Sequence, residues 1–489
     1  MALHVRLIVG TTNVVCKATD CTPSYWEALR SFANRALQTF EFDHRRKRLM
    51  PDRSYCKFLT RTQTIIIPRN FLDSLKKELE SGNVPYQEHK ARKYKARDLT
   101  IKMNPAFTDR PHQTAGIDYL VNSSEARVGL QLQTGKGKTY SATKAMLSIG
   151  KVGMVVVSGL VEQWMNSISE QTDGKDKVWI IQGYKSLIDL FKSDAMPEIF
   201  ICSLETIREY IKHKGNYEDL PPYSEFIKYY GIGTKIIDEA HLNFHAGTMI
   251  DLAFPIQRNI YLTATFTTSN KGLRKIFNTI YDARVRFGAD RYDKYVDVTF
   301  YGYMGNVPEQ RCVTNRGYNH GRYEQHMLKR KTILADYFER ILIPVTRVHF
   351  INQPKPGMKC LIFCSLIEMI AVVVERLSAE WPELNVLSFV ASDPESHLSD
   401  GDIIVSTHKS AGTGKDIAKL YTVINTVSFK TPTLSKQVLG RLRKLKNEEL
   451  TPVYVDLLDM NLSSHMRHWR ERSEILKSCA RTYHEYRIG

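Results

Sequence analysis

The stretch Val128-Gly-Leu-Gln-Leu-Gln-Thr-Gly-Lys-Gly-Lys-Thr139 decides the fold of this chain, because an apolar run leads through a glycine-rich turn into a helical pattern. Residues 128–132 predict a buried strand, and residues 139–149 predict a helix. A glycine-rich turn between a strand and a helix points backbone N–H groups at an anion. Leu132 departs from the full phosphate-loop pattern, which has glycine there. The stretch still predicts a triphosphate-binding loop in an α/β lobe.

The side chains of this loop have separate predicted roles. Lys138 reaches the β- and γ-phosphates of ATP, and the Thr139 hydroxyl is a ligand of Mg²⁺. An unrelated basic surface loop is the alternative interpretation. The residues predicted to bind the nucleotide here are Thr134, Gly135, Lys136, Gly137, Lys138 and Thr139.

An acidic motif, Asp238-Glu-Ala-His241, ends a short β-rich run about a hundred residues later. Side chains of adjacent residues at a strand end point in different directions, so Asp238 is expected to face the metal while Glu239 faces the attacking water. A solvated Asp-Glu pair that opens a helix is the alternative. The spacing from the phosphate loop favours a nucleotide-hydrolysis site with Lys138, Asp238 and Glu239 as catalytic residues.

The length of 489 residues predicts about three domains, and 43% hydrophobic with 25% charged residues is typical of a soluble protein. The sequence has no run of 18 apolar residues, and His4 and Arg6 interrupt any signal-type segment. Eight cysteines lack a Cys-x-x-Cys pair, which favours a reducing compartment. We therefore expect a cytoplasmic protein that does not enter a membrane.

The net charge of +17 is unevenly distributed, since residues 1–100 hold 19 basic and 10 acidic side chains. A phosphate-backbone partner explains this excess, and a solubilising surface is the alternative. The basic segment 90–97 and one basic cluster are the candidate nucleic-acid contacts, against the alternative of a solvated basic hairpin. The cluster consists of Arg45, Arg46, Lys47 and Arg48.

Two sets of apolar runs alternate with helical patterns and predict two lobes with parallel sheets covered by helices. The first set is Val152–Ser158, Glu198–Ser203, Lys235–Asp238 and Asn259–Thr265. The second set is Lys359–Ser365, Asn385–Val390, Asp402–Thr407, Thr422–Ser428 and Pro452–Asp456. The predicted domains are a small basic α+β domain at 1–98, a first lobe at 99–285 that binds ATP, and a second lobe at 286–489.

Further motifs in the first lobe resemble those of superfamily 2 helicases. The segment Arg110-Pro-His-Gln113 is similar to the motif in which Arg110 and Gln113 bind adenine, although a plain helix start is equally compatible. Gln163 lies in a segment where this superfamily contacts the nucleic-acid strand. Thr263 and Thr265 are similar to the motif that couples hydrolysis to lobe movement, and the resemblance gives His241 the same coupling role.

The second lobe has similar counterparts. The segment Ser410-Ala-Gly-Thr-Gly-Lys-Asp416 resembles the fifth helicase motif, in which Gly414 and Asp416 bind the nucleotide. Gln437 and Arg441 resemble the sixth motif, where an arginine stabilises the charge that develops on the γ-phosphate. The family usually has a second arginine three residues after Arg441. This chain has Lys444 there and Arg443 one position earlier, so either could be the second cation.

The motif resemblance covers about residues 105–445, and within superfamily 2 the chain is most similar to the UvsW-like helicases of bacteriophages. It implies tandem RecA-like lobes, ATP and Mg²⁺ as cofactors, and 3′-to-5′ movement by a monomer, in the host cytoplasm if a bacteriophage encodes it. It also implies sequence-independent action on branched or forked DNA in replication, recombination or repair. An RNA-directed helicase in transcription and a double-strand DNA translocase without strand separation are the alternatives.

Overall fold

The computed structural model divides into two compact units, Met1–Asp290 and Arg291–Gly489. It describes residues 4–19, 21–43, 48–133, 135–212, 220–268, 270, 272–288, 294–314, 317–353, 357–411, 417–429, 432–443, 445 and 450–489. Among these residues, no helix combines the length and apolar character that a membrane crossing requires.

The first unit begins with a mixed sheet of five strands and a separate hairpin. The elements are β1 Val5–Val9, β2 Asn13–Lys17, α1 Pro23–Ala36, β3 Gln38–Asp43, β4 Arg48–Ser54, β5 Lys57–Leu59, β6 Thr64–Pro68, α2 Leu72–Ser81 and β7 Tyr86–Lys90. The sheet order is β5-β6-β2-β1-β7, and β3 pairs with β4. Strand β1 runs antiparallel to β2 and parallel to β7. This is the small α+β domain that the sequence predicts.

The first unit continues as a seven-stranded parallel lobe. Its helices are α3 Pro111–Asn122, α4 Lys138–Ile149, α5 Val161–Gln171, α6 Tyr184–Lys192, α7 Leu204–Lys212, α8 Tyr223–Tyr229, α9 Phe244–Ala253 and α10 Arg274–Ile280. Its strands are β8 Arg127–Gln131, β9 Gly153–Val157, β10 Val178–Ile181, β11 Ile199–Ser203, β12 Thr234–Ile237, β13 Arg258–Thr263 and β14 Arg286–Phe287. The order is β10-β11-β9-β12-β13-β8-β14, and β9, β11 and β12 are buried along their whole length. Burial of both faces is what a parallel sheet requires.

The N-terminal sheet and the first lobe are joined through buried polar contacts. The Thr12 hydroxyl donates to the Asp251 carbonyl at 2.6 Å, and the Asn13 amide donates to the Leu252 carbonyl at 2.8 Å. The ring of Tyr55 packs against Phe244 with centroids 5.3 Å apart. These contacts make the two parts one compact body.

The second unit is another seven-stranded parallel lobe. The strands of its large sheet are β15 Asp297–Tyr303, β18 Lys359–Phe363, β19 Val386–Phe389, β20 Ile403–Ser406, β21 Leu420–Asn425, β22 Val453–Asp459 and β23 Thr482–Arg487. The unit also has a separate antiparallel pair, formed by β16 Val313–Thr314 and β17 Gly317–Tyr318. Its helices are α11 Glu309–Cys312, α12 His320–Lys329, α13 Lys331–Tyr337, α14 Ile343–Thr346, α15 Ile367–Glu380, α16 Ser396–Asp400, α17 Pro432–Leu439 and α18 Ser463–Cys479. The order of the large sheet is β19-β20-β18-β21-β22-β15-β23. The predicted fold class, two tandem RecA-like lobes preceded by an α+β domain, is confirmed.

Buried histidines surround the carboxyl ends of the strands in the second unit. His320 Nδ1 lies 2.8 Å from the Tyr318 hydroxyl and accepts the Ser428 N–H at 3.2 Å. Burial lowers the pKa of both His320 and His408 to about 3. Burial also holds the pKa of His465 well below its usual range. These three rings are therefore neutral in the folded protein.

The second unit should lose stability as the pH falls below about 6.5, the usual pKa of a histidine in an unfolded chain. The unfolded chain then takes up protons that the folded chain excludes, so each buried histidine lowers the free energy of unfolding by about 1.4 kcal/mol per pH unit. Hydrogen exchange of peptides from β21 and β22, measured between pH 7.5 and 5.5, reports this slope. We expect His320→Gln to reduce the slope by about one proton and His484→Gln, at an exposed position, to leave it unchanged. Equal slopes in wild type and His320→Gln would contradict the prediction.

Candidate active site

Three neighbouring strands bring the predicted catalytic segments together. Strands β12, β13 and β8 are adjacent in the first sheet and parallel. Their carboxyl ends lead into the acidic motif, the Thr263 segment and the phosphate loop, respectively. The backbone N–H of Leu132 donates to the Thr263 carbonyl at 3.1 Å, which links two of these segments directly. Carboxyl ends of parallel strands are where α/β proteins bind ligands.

The phosphate loop depends on two glycines in left-handed backbone conformations. Gly135 has φ of 84° and Gly137, which precedes α4, has φ of 82°. A Cβ atom on Gly137 would collide with the side-chain amide nitrogen of Gln113. Leu132, the departure from the usual pattern, packs against the core of the first lobe. The loop therefore keeps glycine where the backbone turns and tolerates leucine where the strand leaves the core.

Gln113 joins the start of α3 to the phosphate loop. Its side-chain oxygen accepts the Arg110 N–H at 2.9 Å, and its amide donates to the Lys136 carbonyl at 3.1 Å. His112 Nε2 lies 3.0 Å from the same carbonyl oxygen. Gln113 is buried and the Arg110 side chain is exposed. This geometry supports the loop, and the adenine contacts of Arg110 and Gln113 stay predictions.

An ion pair connects the phosphate loop to the acidic motif. Lys138 Nζ lies 2.8 Å from Glu239 Oε1, and the two side chains are 10% and 22% exposed. The Glu239 N–H donates to Asp238 Oδ1 at 2.8 Å. The Trp164 indole N–H donates to Asp238 Oδ2 at 2.9 Å. Three residues predicted to be catalytic therefore form one continuous polar cluster with an indole that the sequence analysis did not assign.

The side chains of Asp238 and Glu239 have different partners, but not because they alternate along a strand as predicted. Strand β12 ends at Ile237, before both acidic residues, and Glu239 takes a left-handed conformation with φ of 45°. Such a conformation costs about 1–3 kcal/mol in a non-glycine residue and is often found at functional sites. Burial raises the pKa of Asp238 and the Glu239 carboxylate raises it further, whereas Lys138 and the N–H donors oppose the shift. A cation near these oxygens would therefore favour the ionised carboxylate.

The predicted coupling residues are in mutual contact. His241 Nδ1 lies 2.6 Å from the Thr263 hydroxyl, which donates to the Thr265 carbonyl at 2.8 Å. A hydroxyl has one hydrogen, so His241 is the donor in the first contact. His241 Nδ1 also lies 3.5 Å from Glu239 Oε2. Burial lowers the pKa of His241 to about 4, so the ring is neutral at neutral pH.

The residues of this cluster fit a magnesium nucleotide. The Asp238 carboxylate and the Thr139 hydroxyl are oxygen ligands of the kind that Mg²⁺ prefers. Thr139 is the second residue of α4, whose N-terminus follows the glycine turn. Helix N-termini after such turns bind phosphate groups through backbone N–H groups and the helix dipole.

The remaining candidates belong to other elements of the two units or lie outside the described residues. Arg441 is buried and Arg443 is half-buried after α17, which contains Gln437, and their roles stay predictions. Gln163 is exposed on α5 and Arg48 is exposed at the start of β4. The candidates outside the described residues are Arg45, Arg46, Lys47, Thr134, Gly414, Asp416 and Lys444.

Trp164 is the functional candidate that sequence reasoning missed. Its apolar position in α5 predicts core packing, and it is 1% exposed. A buried tryptophan nevertheless needs an acceptor for its indole N–H, which is the signal that was present in the sequence. The acceptor, Asp238, lies 74 positions away in the chain.

Comparison with known proteins agrees with the resemblance drawn from the motifs. Residues 106–268 match the family model described as the res subunit of type III restriction enzymes. A comparison with curated protein sequences gave no match. The resemblance to superfamily 2 helicases predicted from the motifs is confirmed.

The solved structures that match the chain include Dbp5, Mss116p and T4 UvsW. Saccharomyces cerevisiae Dbp5, bound to RNA and ADP BeF3, is 13% identical with a TM-score of 0.52 over 77% of this chain and 89% of that chain. Mss116p, bound to single-stranded RNA and AMP-PNP, is 13% identical with a TM-score of 0.51 over 77% and 74%. T4 UvsW is 15% identical with a TM-score of 0.36 over 99% and 100%. At these identities the Dbp5 and Mss116p matches show the fold.

Gly137→Ala should weaken nucleotide binding, because the added Cβ displaces the Gln113 amide that supports the loop. Gly150→Ala is the matched control: Gly150 ends α4 with φ of 69°, and its added Cβ meets open space apart from one carbonyl at 3.9 Å. Both variants carry the left-handed cost of about 1–2 kcal/mol. We expect similar losses of thermal stability from this cost, and a loss of binding of a fluorescent ATP analogue in Gly137→Ala alone. Equal nucleotide affinities in the two variants would show that the collision is unimportant.

Proposed function

We propose that the chain is an ATP-dependent helicase that moves along DNA and unwinds or remodels branched substrates such as forks and junctions. The observation that carries the proposal is the ion pair between Lys138 and Glu239, which joins the phosphate loop to the acidic motif at 2.8 Å. A lysine at the end of the glycine turn and a carboxylate that follows the end of a strand in the same sheet are the two groups that nucleotide hydrolysis needs at one place.

Binding of the triphosphate is proposed to exchange the partner of Lys138. The Lys138 ammonium group, which pairs with Glu239, is the group expected to contact the β- and γ-phosphates. Its departure leaves the Glu239 carboxylate available to orient a water molecule and accept its proton. The triphosphate is thus proposed to take the place of Glu239 as the partner of Lys138.

Thr139 and Asp238 would hold Mg²⁺, which neutralises charge on the phosphates when it is bound. The neutral His241, donating to Thr263, is proposed to transmit the state of Glu239 to the segment that couples hydrolysis to movement. Arg441 is proposed to stabilise charge developing on the γ-phosphate, with Arg443 as the second candidate.

Nucleic acid is proposed to bind without sequence preference through phosphate contacts, to which exposed Gln163 and Arg48 contribute. DNA as the substrate and 3′-to-5′ movement rest on the resemblance to UvsW-like helicases. The RNA in the structures of Dbp5 and Mss116p favours an RNA-directed helicase as the second candidate. The restriction-enzyme family model favours a double-strand DNA translocase as the third. A monomer acting in replication, recombination or repair is part of the proposal.

Glu239→Gln should abolish turnover while nucleotide binding is retained. Loss of the carboxylate removes the group that orients water, and we expect ATP turnover to fall by at least about a hundredfold. Affinity for ATP should be equal or higher, because the neutral amide competes less for Lys138. Lys138→Ala should instead lose nucleotide binding. Lys177→Ala, which removes a half-exposed partner of Glu198 at the far side of the sheet, serves as the control. Wild-type turnover in Glu239→Gln would refute the site assignment.

The substrate is tested by measuring ATP turnover and strand separation together on single strands, forks, four-way junctions and RNA duplexes. We expect the largest stimulation and unwinding with forked or four-way DNA, and an affinity that falls steeply with salt because phosphate contacts release counterions. Larger stimulation by RNA would replace DNA with RNA as the substrate. Stimulation by duplex DNA without strand separation would favour the translocase.

A further inference from the structure

The contact between Trp164 and Asp238 joins two elements that the hydrolysis chemistry alone does not require to touch. The indole N–H donates to Asp238 Oδ2 at 2.9 Å, and both side chains are buried. A hydrogen bond to an ionised carboxylate is about twice as strong as one between neutral groups. Its strength depends steeply on distance and angle, so it reports small displacements of either partner.

The two donors to Asp238 come from different parts of the fold. The Glu239 N–H belongs to the acidic motif itself and moves with Asp238. The Trp164 indole belongs to α5, which follows β9 rather than β12. The orientation of the carboxylate therefore depends on the position of α5.

Helix α5 presents an exposed residue and the indole at consecutive positions. Gln163 is exposed, whereas Val161, Trp164 and Ile168 are buried against the lobe. Consecutive residues of a helix point about 100° apart, so Gln163 and Trp164 face different surroundings on one rigid turn. A displacement of the exposed side of this turn also moves the indole.

We propose that Trp164 is a positioning residue through which α5 sets the orientation of the Asp238 carboxylate, so that nucleic acid bound at the exposed face of α5 controls nucleotide binding and turnover. The inference rests on the proposed function for the identity of the ligand on α5. A phenylalanine would fill most of the same space and leave this carboxylate oxygen without its donor. The indole N–H, rather than the ring, is the part that acts.

The test compares Trp164→Phe with Trp179→Phe. Trp179 lies on β10, at the edge of the sheet of the first lobe. It is half-buried, and its indole N–H donates to the Ser186 carbonyl at 3.3 Å. The first measurement is the Mg²⁺ dependence of binding of a non-hydrolysable fluorescent ATP analogue, without nucleic acid. We expect half-saturating Mg²⁺ to rise about ten- to a hundredfold in Trp164→Phe, the effect of one lost hydrogen bond to a charged group, and to stay unchanged in Trp179→Phe.

The second experiment measures two quantities for each variant: the stimulation of ATP turnover by single-stranded DNA, and the dissociation constant for that DNA. We expect Trp164→Phe to lower the stimulation severalfold while the dissociation constant for DNA is unchanged. A merely structural role of Trp164 would lower thermal stability and leave both the Mg²⁺ dependence and the stimulation as in wild type, which would overturn the proposal. Absence of stimulation in the wild type would instead count against the proposed function, and the Mg²⁺ measurement would still test the positioning role.

Thermal unfolding of both variants establishes that the fold is intact. Should the phenylalanine variant unfold, 3-benzothienyl-alanine at position 164 keeps the size of the ring system and lacks only the N–H. The same rise in half-saturating Mg²⁺ is then expected, and wild-type Mg²⁺ dependence with this replacement would refute the role of the N–H.

Discussion

One buried carboxylate, Asp251 of α9, pairs with two buried cations, Lys235 and Arg127, near the ends of the strands opposite the candidate site. Its oxygens lie 2.7 Å from Lys235 Nζ and 3.6 Å from Arg127 Nη2, and it accepts the Tyr261 hydroxyl at 2.7 Å. Its three partners lie on β12, β8 and β13, the strands whose carboxyl ends carry the acidic motif, the phosphate loop and Thr263. Removing Asp251 would leave both buried cations without their carboxylate, and breaking a buried ion pair in this way costs about 3–5 kcal/mol. The register of the three strands at the site therefore depends on charges buried at their other ends.

The same cluster extends to the N-terminal domain. Arg127 also donates to the Asn70 side chain, and the backbone of α9 accepts hydrogen bonds from Thr12 and Asn13. The basic N-terminal domain is thus attached to the helix that supplies the central carboxylate. A nucleic acid bound by this domain would therefore be bound by the same compact unit that holds the phosphate loop, and not by a domain attached through a flexible linker.

The sequence was sufficient for the parts of the fold that local pattern determines. The apolar runs around Val155, Ile201 and Ile236 match central strands buried on both faces, and the glycine turn at Gly137 matches the start of α4. Peripheral strands were missed: the apolar run of Val178–Ile181 has only four residues, and the largely exposed Thr482–Arg487 has no continuous apolar run. Their pairing is set by partners far away in the chain, which local pattern does not contain.

In the candidate site, too, local motifs predict some features, and others depend on residues far away in the chain. Lys138 and Glu239, whose roles are predicted from local motifs and their spacing, lie in contact in the structure. Trp164 could not be assigned in this way, because apolar periodicity predicts burial and is silent about the acceptor of a buried N–H. The left-handed backbone of Glu239 could not be predicted either, because a pattern at the end of a strand suggests only that successive side chains alternate between the two faces. For Trp164 the missing information is the position of β12 beside β9, and Lys235 of β12 is paired with the buried carboxylate of Asp251.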